Sequence, residues 1–386
     1  MPFAIYVLGL AVFAQGTSEF MLSGLVPGIA QDLGVSVPAV GSLTSAFAGG
    51  MIAGAPLVAI LSMRWPRRRA LLAFLGAFLL VHVVGALTTS FAVLFGTRVI
   101  AALANAGFLA VGLAAAASMA GSRAKGRATS ILLSGITLAC VAGVPLGAVV
   151  GEFWGWRSAF WGVALISVPA VIAIVAAVPA EPAGPEAASA KHELRALRSP
   201  KLIVTLLVGA LVNGATFCSF TYLAPVVTAV TGLPGGWVPV VLALFGVGSF
   251  AGVAIGGRLA DSRPVTLLSV GSAALFAGWL VFAVSAGNPV VVPILVVVQG
   301  TLSFAVGSTL IARVFYAASE APTLAGGFAT AALNVGAAAG PVLGGVAIGA
   351  GFGFRSPLVV SAVLVAGALL LGSAAVVRND ASGNIP

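Results

Sequence analysis

Glu19 stands inside Phe3–Pro27, a run that is otherwise apolar and long enough to cross a lipid bilayer. A carboxylate at such depth is costly unless it is paired, protonated or wet, so an acid placed there is a candidate for holding and releasing a proton. Gln15 lies one turn earlier on the same helical face. A second embedded charge, Arg98, falls in Phe91–Met119, with Asn105 seven residues further on and again on its face. Glu19 is about 8 residues, roughly 12 Å, before the end of its run, and Arg98 about 7 residues, roughly 10 Å, after the start of its own. The two charges therefore share a level. They form either a permanent ion pair tying two helices together or a proton site adjusted by a cation, since burial and a neighbouring cation act on an acid in opposite senses.

Further along, Asn213 and Gln299 fall near mid-depth of their runs. Neutral amides donate and accept hydrogen bonds and are cheaper to desolvate than ions. With Gln15 and Asn105 they suit a polar but uncharged ligand, and Phe108, Phe217, Phe220, Tyr222 and Phe304 add flat apolar faces. The mixture fits a small amphipathic aromatic amide. The alternative for each amide is a hydrogen bond between helices, and for each aromatic it is packing. Asn334, beside the small-residue run Gly336–Gly340, is expected to bond across a helix seam. His82 and His192 are the chain's two histidines. They form no metal-ligand cluster, no nucleophile–base pair is visible, and no phosphate-binding loop points to an ATP-driven pump. The chain reads as no enzyme, with no metal site.

These side chains need elements to hold them. Apolar residues make up 60% of the chain and charged residues 7%, against about 25% charged in a soluble domain. That excludes a water-soluble fold and fits an all-α integral membrane protein. A spanning helix takes roughly 20 apolar residues. Twelve such runs are present: Phe3–Pro27, Ser42–Leu61, Ala70–Thr88, Phe91–Met119, Ala128–Val150, Ser158–Val178, Leu202–Val230, Val238–Gly256, Val265–Ala286, Val290–Val314, Leu324–Ala350 and Ser356–Val377. The polar stretch Pro179–Lys201, rich in Pro, Ala and charge, reads as a linker, dividing the chain into six-helix halves at 1–178 and 202–386. The first run lacks a basic n-region and exceeds a signal peptide's apolar core, so it is read as retained. Cys140 and Cys218, each in an apolar run, are expected to be free thiols.

With both termini cytoplasmic, 15 of the 18 Lys and Arg face the cytoplasm, leaving Arg157 and Arg355 outside and Arg98 within the membrane. The positive-inside rule selects this orientation. It also accounts for the net charge of +9 without a nucleic-acid partner; the expected partners are the lipid bilayer and a small amphipathic drug.

The halves repeat with a constant shift of 198 residues: Gln15-Gly16 matches Asn213-Gly214, Pro27 matches Pro225, Phe47 matches Phe245, Gly54 matches Gly252 and Pro66 matches Pro264. Both halves start on the same side, so the repeat is parallel, an arrangement that sets a substrate site between halves near the midplane. Glu19 matches Phe217, so only the first half carries the acid.

Several motifs resemble the major facilitator superfamily, in its twelve-helix drug:proton antiporter branch. Arg64 with Pro66-Arg67-Arg68-Arg69 looks like a degenerate form of that family's cytoplasmic loop motif, with Met63 in place of the usual aspartate; the second copy, Gly257-Arg258-Leu259-Ala260-Asp261-Ser262-Arg263, keeps it. Arg98 is similar to the family's buried arginine. Gly143-Val144-Pro145-Leu146-Gly147 looks like the antiporter motif, and Gly340-Pro341-Val342-Leu343-Gly344-Gly345 like a second copy. The opening Met1–Tyr6, Gly16-Thr17-Ser18-Glu19-Phe20-Met21-Leu22 and Ala102–Val111 resemble the chloramphenicol exporters of actinobacteria, while Gly-Thr-x-Glu-Phe alone is shared with sugar and nucleoside exporters of the branch.

The resemblance implies two pseudo-symmetric six-helix bundles in a bacterial cell membrane, acting as a monomer that exports chloramphenicol by alternating access. Protons are the coupling ion, no other cofactor is needed, Glu19 is the proton site and Arg98 tunes it. It makes the helix of His82 peripheral and that histidine structural. Gly143, Pro145, Gly147, Gly340, Pro341 and Gly344 read as close, bendable seams between the halves or as ordinary glycine-mediated packing, and Arg64, Arg68, Arg258, Asp261 and Arg263 as a cytoplasmic latch, with topology determinants attracted to anionic lipid as the alternative for the basic run Arg64–Arg69. Export of a sugar or nucleoside is the alternative within the branch. A non-transporting sensor or scaffold is the alternative outside it, whose sign would be loss of the embedded acid.

Overall fold

A backbone inside hydrocarbon must satisfy its own N–H and C=O groups, and long apolar runs do so by coiling into helices. The computed structural model describes residues 2–62, 65–120, 125–178, 194–260, 262–321 and 324–381, and all regular structure among them is helical. Twelve of these helices are long and apolar enough to cross a membrane. The protein is a multi-pass membrane protein.

The chain divides into two compact units, Met1–Pro185 with Pro234–Ala243, and Glu186–Leu233 with Leu244–Pro386. The first holds α1 (Phe3–Phe20), α2 (Leu22–Leu33), α3 (Val37–Ser62), α4 (Arg67–Leu87), α5 (Phe91–Met119), α6 (Lys125–Leu138), α7 (Val144–Trp154) and α8 (Trp156–Ala177). α6 and α7 are one span joined by the π-helical turn Ala139–Gly143. The second holds α9 (Pro200–Thr221), most of α10 (Val238–Leu259), α11 (Pro264–Ser285), α12 (Val291–Ala317), α13 (Ala325–Ala347) and α14 (Ser356–Ala381). π-helical turns also follow Pro225, at Val226–Val230, and α13, at Ile348–Phe352. Of the linker, residues 179–193 lie outside the described residues and Leu194–Arg198 forms a 3₁₀ turn.

The run expected as one helix over Phe3–Pro27 is two helices that reach Leu33, with the break at Met21. Pro27 sits inside α2 rather than ending it. The break has a partner from another helix: the Ser18 carbonyl, which a straight helix would offer to Leu22, accepts Arg98 Nη2 at 2.8 Å. Thr17 and Ser23 bond back to the Phe13 and Phe20 carbonyls on either side, a pattern that bends helices.

The glycines show why each unit packs tightly. In the first, a Cβ on Gly50 would lie 2.8 Å from the Val99 carbonyl oxygen, and one on Gly54 2.7 Å from the Ala106 Cβ, so α3 and α5 meet backbone to backbone. In the second, Gly248 meets Val297, and Gly252 meets Thr301, Phe304 and Ala305, on α10 and α12. The partners Val99 and Val297, like Gly50 and Gly248, are 198 residues apart. The repeat written in the sequence is therefore a repeat of contacts inside each unit.

Candidate functional site

α1 ends in the turn that carries the acid. Glu19 is half-buried. Its neighbour Ser18 is fully buried and holds Arg98: Nη1 donates to Ser18 Oγ and Nη2 to the Ser18 carbonyl, both at 2.8 Å. Arg98 is 1% exposed and its guanidinium carbon lies 4.6 Å from the centre of the Phe47 ring. Two hydrogen bonds from an ionised donor and an aromatic face partly replace the water this cation has lost. Arg98 Nε has no partner. Among the described residues the ion pair within 4.0 Å is Asp32 with Arg157, not Glu19 with Arg98. The permanent Glu19–Arg98 pair, one of the two arrangements open from the sequence, is thus absent: the guanidinium is moored to the residue beside the acid, and the carboxylate is left out of that grip.

Gln15, one turn back, is fully buried, and neither its Oε1 nor its Nε2 has a hydrogen-bond partner. An amide in that state costs roughly 1–3 kcal/mol and is a feature to be completed by a ligand or water. Asn105 is buried on α5, and Phe108 is fully buried in the first unit's core beside Leu71, Leu132 and Gly112.

In the second unit the amides bridge helices. Asn213 Nδ2 donates to the Leu333 carbonyl at 2.7 Å and Gln299 Nε2 to the Leu275 carbonyl at 3.2 Å, while Gln299 Oε1 stays buried without a partner. Tyr222 is fully buried and spends its hydroxyl on the Pro341 carbonyl at 2.8 Å. Phe217, Phe220, Phe245 and Phe304 form a continuous aromatic series from three helices, with successive ring centres 6.3, 4.7 and 6.1 Å apart. Phe245, which the sequence marked for the repeat but not as a site residue, is its central link. Asn334 does not bond across a seam: its Nδ2 donates to Thr330 one turn back in its own helix.

The motif glycines are also placed differently from expectation. Gly143 and Gly147 face α1 and its continuation, where a Cβ on Gly143 would meet the Thr17 side chain and one on Gly147 would lie 3.4 Å from the Met21 Cβ. Gly340 and Gly344 face α9, at Gly214, Cys218 and Tyr222. Their seams run within each unit, against that unit's own first helix and its continuation. Pro145 stands at the start of α7, just after its π-helical turn, and Pro341 inside α13. Of the latch residues, Arg64 and Asp261 lie outside the described residues; Arg68 is half-exposed, and Arg258 and Arg263 are exposed. The basic loop is tied instead by Arg67, whose Nη1 donates to Ser118 Oγ at 2.7 Å.

At the far ends of α2, α4 and α8, Arg157 pairs with Asp32, donates to the Thr88 carbonyl at 2.9 Å and lies over the Trp156 ring, whose Nε1 donates to Asp32 at 3.2 Å. The hydrogen bond from Arg157 holds the Asp32 carboxyl below its ordinary range, against the opposing effect of partial burial and with help from Trp156.

A family model described as the Major Facilitator Superfamily matches residues 8–326. The chloramphenicol resistance protein of Streptomyces lividans is 55% identical over 374 residues, covering 96% of this chain and 95% of that protein. The inner membrane transport protein YdhP of Escherichia coli K12 is 34% identical, covering 96% and 95%. Among solved structures, a bacterial homologue of the human lysosomal transporter Spinster, inward-facing and occupied, superposes with a TM-score of 0.76 at 15% identity, covering 95% of each chain. The nucleoside transporter NupG superposes with a TM-score of 0.76 at 12% identity, covering 96% of this chain and 99% of its own.

Proposed function

This chain belongs to the Major Facilitator Superfamily, a family of transporters rather than enzymes, and on that premise we propose that it exports a small amphipathic drug, chloramphenicol, across the bacterial cell membrane in exchange for protons, with Glu19 as the proton site. The observation that carries the reading is the half-buried Glu19 carboxylate, unpaired with Arg98 at the end of a membrane helix, beside a guanidinium fixed on Ser18. An ion pair favours the charged carboxylate and opposes proton uptake, whereas a carboxylate outside such a pair, desolvated and wetted in turn, takes up and releases a proton more readily. The identity with the Streptomyces lividans chloramphenicol resistance protein supports the substrate.

Proton and drug compete in this account. Glu19 takes a proton from outside, the cytoplasmic side opens, and the proton leaves as drug binds. Both termini lie in the cytoplasm, where the excess of Lys and Arg is retained. In the first unit the unpartnered amide of Gln15 is the group that offers the drug hydrogen bonds. The protons are the only coupling agent required.

The test is chloramphenicol accumulation in a sensitive host. Expression lowers accumulation, a protonophore restores it, and Glu19→Gln behaves as the empty vector while the purified variant still binds the drug. Unchanged accumulation on expression removes chloramphenicol as the substrate; full export by Glu19→Gln removes Glu19 as the proton site.

A further inference from the structure

His82 sits on α4, away from the acid in sequence and 1% exposed. Both of its ring nitrogens are engaged. Nδ1 lies 2.6 Å from the Phe78 carbonyl oxygen and Nε2 lies 2.6 Å from Ser18 Oγ. A carbonyl oxygen only accepts, so Nδ1 carries the ring proton. Nε2 of the neutral ring is then an acceptor, and the Ser18 hydroxyl donates to it. With its hydrogen committed to His82, Ser18 Oγ presents its lone pairs to Arg98 Nη1, while the Ser18 carbonyl takes Nη2. Hydrogen bonds thus run one way, from Arg98 through Ser18 to His82 to Phe78, across α5, α1 and α4. A ring protonated on both nitrogens would place a donor at Nε2, reverse the Ser18 hydroxyl and set a second cation next to the guanidinium.

We propose that Ser18 and His82 are positioning residues for proton exchange: His82 orients the Ser18 hydroxyl, and Ser18 holds Arg98 in one place beside Glu19. This rests on Glu19 being the proton site. The arrangement has a reason. A cation free to swing onto Glu19 would close the ion pair and trap the acid in its charged form; a cation free to swing away would leave the acid without its influence. Tethering to the adjacent residue excludes both. Among the described residues the groups within electrostatic reach of Glu19 are Arg98 from α5 and Cys140 from the π-helical turn after α6, with His82 acting through Ser18. On the other elements packed against α1 the ionisable residues are Asp32, Lys125, Arg127, Glu152 and Arg157, at or near helix ends.

The experiment adds chloramphenicol to the purified full-length protein in weakly buffered detergent and follows proton release with an indicator dye across pH. Ser18→Ala and His82→Leu each move the half-point of release by about one unit, to more acid pH where the loosened guanidinium, still held by the Ser18 carbonyl, swings onto Glu19 and to more alkaline pH where it swings away. Drug affinity stays within about threefold. Ser18→Thr keeps a hydroxyl and His82→Gln keeps an acceptor near the Nε2 position, and both restore the original half-point. A helix-packing role would alter stability without this shift and rescue. Should His82→Leu fail to fold, Ser18→Ala reads the same bridge by removing a single oxygen. Unchanged half-points in Ser18→Ala, with Glu19→Gln silent at every pH, overturn the positioning role and leave the proton site standing. Proton release that survives in Glu19→Gln overturns the reading beneath it.

Discussion

Gln15 separates binding from packing at the scale of a residue. Its buried amide has no protein partner, so Gln15→Leu removes two unsatisfied polar atoms at similar volume. Thermal unfolding in detergent should show the variant as stable as the native protein or up to about 1 kcal/mol more stable, while chloramphenicol affinity falls about tenfold. A loss of stability with affinity intact would make Gln15 a packing residue. Arg98→Lys keeps the charge but cannot reach Oγ and the carbonyl of Ser18 while lying flat over Phe47; efflux should fall at least about tenfold, measured as accumulated drug. Asp32 carries a pH signature. Its pKa is lower in the folded protein than in the unfolded chain, so its contribution is present in full above the unfolded carboxylate value of about 3.9 and is lost as pH falls through the lower folded value. Being exposed, the pair is worth no more than about 1 kcal/mol. Asp32→Asn should lower unfolding stability by that amount at pH 7, and the difference should vanish in strong acid. Glu19 and Arg98 were legible in the sequence because charge in an apolar run has no cheap explanation. Ser18, Phe47 and His82 were not: a serine and a phenylalanine are ordinary in such helices, and the histidine's role depends on an 80-residue separation between Ser18 and Arg98 that no local pattern encodes.

Elements differ in how much a glycine is needed. A Cβ on Gly340 would lie 2.9 Å from the Gly214 carbonyl carbon and 3.0 Å from the Cys218 nitrogen, backbone atoms that cannot rotate away. One on Gly147 would meet only the Met21 Cβ at an ordinary 3.4 Å. Gly340→Ala should therefore destabilise by about 2 kcal/mol and Gly147→Ala by less than about 0.5 kcal/mol, read by thermal unfolding, although both glycines belong to the same type of motif. Helix existence and approximate extent followed from apolar length. The break at Met21 and the π-helical turn at Ala139–Gly143 did not, because they answer to partners outside the helix: Arg98 draws on the Ser18 carbonyl, and Gly143 ends its turn where Thr17 crosses. Motif glycines announced close approach, but not which helix approaches.

For the whole molecule, the 198-residue shift was the strongest sequence signal of organisation, and it survives as contacts: Gly50 on Val99 is repeated by Gly248 on Val297, and Gly54 on Leu103 by Gly252 on Thr301. What the repeat does not copy is the chemistry. The acid, its moored arginine and the histidine bridge belong to the first unit; the second answers with Phe217 and an aromatic series. That asymmetry fits the proposed exchange of a proton for an aromatic drug. The most direct measurement is uptake of labelled chloramphenicol by proteoliposomes under an imposed pH gradient. The native protein should accumulate drug against its gradient, and Glu19→Gln should bind the drug yet gain no concentrating power from the pH difference. Glu19→Gln concentrating drug as well as the native protein would contradict the account.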